Sequence, residues 1–411
     1  MNIDPEILKY LSLPVISAVV GYVTNLVAIR MMFYPVEFVG LKPPWLGWQG
    51  VVPRKCAKMA GVAVDTITTR LITQEEIFDR LDPDRIAQEL EGPLNEMVHD
   101  ITEAVMREHQ PRLWDSLPAA LRQRVIRRVQ AEAPAMVAEV MDEVRENIHQ
   151  MFDLKDMVIT SLVRDKTLLN RIFLETGETE FRFIARSGLY FGFLFGLVQM
   201  TVWWLYPVWW LLPAFGLLVG YATNWLALKM IFNPKRPWQF GPVAIQGLFF
   251  KRQSEVAHDY GNLVSDEILT PANILEAVLR GPYADKLFAL VQRHVQRVVD
   301  ESASVARPFV AWTVGTESYE RMKASAVDHV LTQMPEALQH VTDYAEDAMR
   351  IRETLVSRLQ GLDPVGFERM LRPAFEEDEW LLIAVGAALG FGVGWFQLVF
   401  VFGEEFARAF G

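Results

Sequence analysis

Gly21-Tyr22-Val23-Thr24-Asn25 recurs as Gly220-Tyr221-Ala222-Thr223-Asn224. The same register continues through Ala28/Ala227, Arg30/Lys229, Met31/Met230, Phe33/Phe232 and Pro35/Pro234. After the following loop, Gln49-Gly50 matches Gln246-Gly247 and Arg54-Lys55 matches Lys251-Arg252, while Gly92-Pro93 has a counterpart in Gly281-Pro282. Self-similarity at a fixed long offset marks a chain built from a duplicated unit. Both copies of the block lie inside apolar runs, so the duplication predicts how the chain crosses a membrane.

Four runs approach the about 20 apolar residues needed to span a bilayer: Tyr10 to Phe33, Gly188 to Tyr206, Val208 to Phe232 and Trp380 to Phe402. Trp203, Trp204, Tyr206, Trp209 and Trp210 crowd the turn between the second and third, and aromatic rings favour the membrane–water boundary. The predicted organisation is a first transmembrane helix in 1–33, a second in 188–206, a third in 207–232, and a fourth with a short tail in 380–411. Segments 34–187 and 233–379 each comprise an interfacial loop and a helical region. An even number of spans puts both long segments on one side. Arg30, Lys42, Arg54, Arg182, Arg186, Lys229, Lys235 and Arg236 flank the spans on that side, against Lys9 and Arg408 on the other. The positive-inside bias makes the long segments cytoplasmic. No basic region or small-residue cleavage site precedes the first run, so it is not expected to be a removed signal peptide.

Composition agrees with a membrane protein that carries large water-exposed parts. Of 411 residues 51% are hydrophobic, with 12 Trp and 25 Phe, yet 22% are charged, and the mean hydropathy is +0.14. A net charge of -11 argues against a general nucleic-acid binder, which needs a basic face. The single cysteine, Cys56, excludes an internal disulfide framework and a thiolate metal cluster.

The returning spans match as well: Gly188, Gly192, Gly196 and Gln199 against Gly386, Gly390, Gly394 and Gln397. Glycines four apart lie on one helix face and admit a neighbouring backbone. The outgoing spans carry Ser17, Gly21 and Asn25 in the first and Gly216, Gly220 and Asn224 in the third. Each helix therefore presents a stripe of small residues ending in an amide. Two readings of Asn25, Asn224, Gln199 and Gln397 follow: interhelical fasteners, or the lining of a polar path, since polar groups in a membrane are costly and often functional. No ionisable residue sits centrally in a span, which weakens proton-coupled pumping. Arg30 and Lys229 lie near enough to the ends to snorkel. Because both halves begin by crossing in the same direction, they should be related by an axis along the membrane normal.

The segments just inside the membrane read Pro43-Pro44-Trp45-Leu46-Gly47-Trp48-Gln49-Gly50 before Arg54-Lys55, and Trp238-Gln239-Phe240-Gly241-Pro242 through Gln246-Gly247 to Lys251-Arg252. Tryptophan, proline and glycine ahead of a basic pair suit an interfacial loop. Arg30, Trp48, Gln49, Arg54, Lys55, Lys229, Gln246, Lys251 and Arg252 are its candidate lipid or anion contacts. The long segments read as helical: Thr73 with Glu76 fits a capping box, Asp82-Pro83 a helix start, and Ile86, Leu90, Leu94, Met97, Ile101 and Val105 one helix face. Arg122, Arg124, Arg127 and Arg128 form a local basic run, the pattern of a solvated face. Convincing alternating strands are absent.

Catalytic signatures are missing from the sequence. There is no Gly-x-x-x-x-Gly-Lys-Ser/Thr phosphate loop and no Gly-x-Ser-x-Gly elbow. His99, His109, His149, His258, His294, His329 and His340 show no zinc spacing. The glycines of the returning spans follow no strand, so they are not a dinucleotide fingerprint. The Glu376-Glu377-Asp378-Glu379 cluster suits a helix N-terminus. No catalytic residue, cofactor or metal is expected.

The duplicated Gly-Tyr-x-Thr-Asn-x-x-Ala-x-Arg/Lys-Met-x-Phe-x-Pro block with its Gln-Gly and basic pair resembles the YheB/YjiN-type family of bacterial membrane proteins. The stretch Phe367-Glu368-Arg369-Met370-Leu371-Arg372-Pro373 through Glu376, Asp378 and Glu379 is similar too. The resemblance implies the topology and supplies no activity, cofactor or substrate. The expectation is an all-α integral membrane protein, four transmembrane helices in two tandem parallel repeats with two helical cytoplasmic regions. It would be a multi-pass protein of the bacterial inner membrane, non-enzymatic, a homo-oligomer with membrane lipids as partners and no nucleic acid. Its role would be scaffolding or lipid handling at the cytoplasmic surface. The alternative is a channel or transporter with a polar path at the repeat interface. A membrane-bound hydrolase is the weaker third.

Overall fold

A computed structural model describes residues 5–42, 46–240, 243–302, 316–371, 379–404 and 407. Pro43, Pro44, Trp45, Gly241, Pro242, Arg372, Pro373, Glu376, Glu377, Asp378 and Arg408 lie outside the described residues, as do the readings placed on them.

In chain order the elements open with α1 (Pro5–Phe33), the strands β1 (Val39–Lys42) and β2 (Leu46–Trp48), α2 (Val51–Arg54) and α3 (Cys56–Thr66). Then come α4 (Gln74–Asp79), α5 (Pro83–Glu89), α6 (Glu91–His109), α7 (Pro111–Ser116), α8 (Ala119–Glu146), α9 (Leu154–Arg164), α10 (Lys166–Thr176) and α11 (Glu178–Leu205). The second half has α12 (Leu211–Phe232), β3 (Trp238–Phe240), β4 (Val243–Ile245), α13 (Leu248–Lys251), α14 (Gln253–Glu267), α15 (Pro271–Arg280) and α16 (Ala284–Ser302). It closes with α17 (Thr316–Leu338), α18 (Thr342–Met349), α19 (Ile351–Gln360), α20 (Pro364–Leu371) and α21 (Glu379–Phe396), which runs into a π-helical turn at Gln397–Val401. The chain divides into two compact units: residues 1–66, 159–264 and 356–411, and residues 67–158 with 265–355.

The first unit is built on four helices long and apolar enough to cross a membrane, within Lys9–Phe33, Glu178–Leu205, Leu211–Ile231 and Glu379–Val401. At about 1.5 Å per residue the shortest spans about 31 Å, close to the about 30 Å of a hydrocarbon core. These helices are inside out relative to a water-soluble bundle. On α1 the apolar Leu11, Val15, Val19, Tyr22 and Leu26 are exposed, whereas Ser17, Thr24 and Asn25 are buried. On α12 Leu217, Leu218, Tyr221 and Trp225 face outward, with Thr223 and Asn224 inside. An apolar exterior around a small and polar interior is what a lipid solvent selects, because burying apolar surface gains nothing there and backbone packing must hold the helices.

α1 packs along α11 and α12 along α21, and α11 also meets α12. At one end Leu13, Trp203, Leu212, Leu398 and Phe402 form a buried cluster, with the Trp203 and Phe402 rings edge to face at 5.2 Å. Helix limits exceed the apolar runs where a helix continues past them: α11 begins at Glu178, ten residues before Gly188.

The loops after α1 and α12 carry short strand pairs. β1 and β2 pair antiparallel with Val39 opposite Trp48, and β3 and β4 with Trp238 opposite Ile245. These three- and four-residue strands are too short to display an alternation, in keeping with the absence of convincing alternating strands from the sequence.

In the second unit local signals act as read. The Thr73 hydroxyl accepts the Glu76 N–H, and the Asp82 carboxylate accepts the N–H groups of Asp84 and Arg85 ahead of Pro83 at the first helical position. The face from Ile86 to Val105, read as one helix, is divided between α5 and α6. Pro93 has no N–H to donate to the Glu89 carbonyl, and its ring crowds that carbonyl, so the chain turns at Leu90. The apolar residues nonetheless remain inside: Ile86, Leu90, Leu94, Ile101 and Val105 are buried.

Candidate functional site

Two regions have the chemistry of a site: the small-residue seam of the membrane helices, and a hollow core in the second unit. In the seam, a Cβ added at Gly21 would collide with the Gly188 carbonyl, and one at Gly220 with the Gly386 carbonyl. Those contacts bring two carboxamides into reach of backbone. Asn25 Nδ2 donates to Ile184 O at 2.6 Å, and Asn224 Nδ2 donates to Leu382 O at 2.7 Å. Each amide fits because the facing residue, Gly188 or Gly386, has no side chain in its space. Farther along, Ser17 Oγ donates to Gln199 Oε1 at 2.9 Å and Gln199 Nε2 to Gln397 Oε1 at 3.2 Å. The two glutamines thus join α11 to the turn that ends α21. Gly192 and Gly196 face Ser17, Gly390 faces Gly216, and Gly394 faces Leu212 and Pro213. Asn25 Oδ1 and Asn224 Oδ1 are buried without a hydrogen-bond partner.

The loop residues divide by partner. Gly50 N donates to Pro35 O and Gly247 N to Pro234 O, both at 2.9 Å. Gln49 Nε2 reaches Val36 O at 2.8 Å and Gln246 Nε2 reaches Lys235 O at 3.4 Å, so both amides close their own loops. Arg252 Nη1 lies 3.0 Å from Glu180, a buried carboxylate, and its Nε 2.7 Å from Glu255; these hydrogen-bonded carboxylates hold the guanidinium charged, against its partial burial, and its pKa is raised. Lys235 pairs with the buried Glu368. Arg30, Arg54 and Lys251 are exposed, Lys55 is half-buried, and Lys229 sits over the Trp225 ring at 5.7 Å. Trp48 Nε1 is buried without a hydrogen-bond partner. Leu41 and Trp238 are strongly exposed on the hairpins.

The second unit contains two apolar cavities of about 330 Å³ and about 170 Å³. Both touch Leu94, Met97, Met136 and Val330, so they adjoin between α6, α8 and α17. The larger extends past Ile101, Val105 and Ala326 to Trp114. Water finds few partners in such a space. The larger space reaches solvent through Leu113 and Val125, which line it and are themselves exposed, so an apolar surface lies open there. Sequence reading missed this feature because a hollow core and a filled one require the same apolar pattern.

A charged cluster beside the cavities also escaped it. His294, on α16, is buried with Nδ1 3.4 Å from Glu139 and Nε2 3.2 Å from Glu143, on α8; Arg293 and Arg297 pair with the same carboxylates at 2.9 and 2.8 Å. The hydrogen bond from His294, supported by Arg293, holds the Glu143 carboxyl below the usual carboxylate range. The available signal was the i, i+4 spacing of Glu139/Glu143 and Arg293/Arg297. Cys56 is buried, donates to Leu162 O at 3.0 Å and has its pKa pushed up to about 11 by burial, so the thiol is a poor nucleophile. Among the described residues no group of three or more His, Cys, Asp or Glu is placed to hold a metal ion.

Comparison with known proteins gives relatives in one named group. A UPF0754 membrane protein of Bacillus mycoides is 31% identical over 119 residues, 28% of this chain and 31% of the relative. A UPF0754 membrane protein of Bacillus cereus is 30% identical over 119 residues, and one of Bacillus anthracis 29% over 123 residues. The matched stretch spans about a third of these relatives' length. No family model matches the chain, and no solved structure matches it. The relatives carry the UPF0754 name and not the YheB/YjiN name that the motif suggested. With four apolar helices and relatives named as membrane proteins, the chain is a multi-pass membrane protein similar to an uncharacterised membrane-protein family.

Proposed function

We propose that the protein is a non-enzymatic lipid-handling element of the bacterial inner membrane. In this reading the first unit is the anchor and the helical regions work at the cytoplasmic surface. The observation that carries it is the pair of adjoining apolar cavities in a chain that also has four membrane-spanning helices. A membrane supplies the one abundant class of ligand that such a space accepts. The anchor reading of the seam rests on its amides: Asn25 and Asn224 grip opposing backbone carbonyls, and Gln199 and Gln397 grip each other. The paired contacts Gly21/Gly188 and Gly220/Gly386 support two tandem repeats of a helical hairpin, and exposed Leu41 and Trp238 support hairpins lying in the interface. Membership of the YheB/YjiN-type family and assembly as a homo-oligomer belong to the same proposal.

A channel or transporter is the second reading, favoured by the partnerless Asn25 Oδ1 and Asn224 Oδ1. Native mass spectrometry of the full chain extracted in native lipid separates the two. Lipid that stays bound through delipidation supports handling. A protein without retained lipid that conducts solute in proteoliposomes, and stops when Gln199→Leu is introduced, overturns it in favour of a path.

A further inference from the structure

We propose that the larger cavity of the second unit binds the acyl chain of an anionic amphiphile, with arginines at its mouth holding the head group. This deepens the lipid-handling reading and rests on it. The mouth is located by the lining itself. Leu113 and Val125 line the cavity yet are 39% and 43% exposed, whereas Trp114 between α6 and α8 is fully buried. The lining is therefore most exposed to solvent at α7 and the start of α8, and the space runs on past the half-buried Met97 and Val330 into the smaller cavity. Along α6 the lining runs from Leu94 to Gln110, about 24 Å at 1.5 Å per residue. One leaflet's acyl chains occupy about 15 Å, half of an about 30 Å hydrocarbon core, so a full chain fits lengthwise.

The charge at the opening selects the head group. Residues 112–128 contain Arg112, Arg122, Arg124, Arg127 and Arg128 against one acid, Asp115, in a chain of net charge -11. Arg122 is fixed at the rim: its Nε donates to the carbonyl of Leu117, itself a lining residue, at 3.2 Å. Arg112 adjoins Leu113, and Arg128, 3.6 Å from Glu132, lies one turn beyond Val125. Guanidinium groups grip carboxylate or phosphate in bidentate fashion. An apolar tunnel with this rim fits a fatty acid or the chain of an acidic phospholipid, and a neutral amphiphile brings no charge to pair with the guanidinium groups. Trp114 Nε1, buried and without a hydrogen-bond partner, is a further donor on the lining residues.

The test uses the full chain in phosphatidylethanolamine–phosphatidylglycerol vesicles with three diazirine-bearing probes: palmitic acid, phosphatidylglycerol and a long-chain alcohol. Crosslinks are mapped by peptide mass spectrometry. The proposal expects labelling at Ile101, Val105, Met136 or Val330 by one or both anionic probes, and several-fold less by the alcohol. The probe that labels tells whether the chain arrives as free acid or as phospholipid. Ala326→Trp should abolish cavity labelling while labelling of α1 and α21 persists. The triple variant Arg112→Gln, Arg122→Gln, Arg128→Gln, which replaces two exposed arginines and the half-buried Arg122 and changes no lining side chain, should reduce it several-fold for the anionic probes alone. Labelling confined to the membrane helices, or equal for all three probes and indifferent to the arginines, overturns the proposal. Either result leaves retained lipid elsewhere on the protein, the criterion of the broader reading, to be scored separately.

Discussion

The two units solve opposite packing problems with the same secondary structure. In the first, glycine meets glycine across α1 and α11 and across α12 and α21, with no room for a Cβ, and the bulky apolar side chains point outward. In the second, apolar side chains point inward and leave about 330 Å³ unfilled between helices whose outer faces carry the charge. Cohesion without a hydrophobic effect requires backbones in contact and polar fasteners. Cohesion in water comes from the apolar surface that the helices bury against each other.

The comparison breaks most sharply if added volume has the same effect in both units. Gly21→Leu or Gly220→Leu should prevent α1 or α12 from docking, because the opposing atom is a backbone carbonyl that cannot rotate away. Thermal unfolding of the purified full chain should show loss of the native transition, a cost above the about 1–3 kcal/mol of ordinary overpacking. Arg252→Met comes next: it leaves the buried Glu180 carboxylate unpaired and should cost about 3 kcal/mol, recovered in part by adding Glu180→Gln. Asn25→Leu or Asn224→Leu should cost about 1 kcal/mol each, the range of interhelical hydrogen bonds in membranes, read by denaturant titration in micelles. In the second unit Ala326→Leu should be neutral or stabilising by about 1 kcal/mol, since its methylenes enter existing space. The smallest effect is a pH dependence. Glu143 is held below the usual carboxylate value, so it contributes stability above its unfolded pKa, and that contribution is lost as pH falls through its lowered folded pKa. Glu143→Gln should flatten the acid limb of the melting-temperature profile below about pH 4.

What the chain disclosed in advance follows the range of the forces involved. Apolar runs, the Thr73 cap and the Asp82-Pro83 start depend on neighbours within four residues, and the four long apolar helices are legible for that reason. The α5–α6 break was equally local, since Pro93 withholds one hydrogen bond, and it was overlooked because the apolar face continues through it. The glycine and amide positions were legible as a stripe. That Asn25 reaches the Ile184 carbonyl, or that Gln199 sits between Ser17 and Gln397, depends on how two distant helices slide along each other. Short strand pairs such as Val39 with Trp48 leave too little pattern to read. The cavities left none, because Met97, Val105 and Ala326 would be apolar whether the space between them were filled or not.

The most direct test of the account is the sidedness of its two large segments. In a Cys56→Ala background, Gln123→Cys and Gln292→Cys place one thiol in each, at exposed positions. A membrane-impermeant maleimide applied to intact cells and then to opened, inverted vesicles reports the face. The account predicts that both thiols are protected in cells and both react in inverted vesicles. Reaction of one from outside and the other from inside would contradict it.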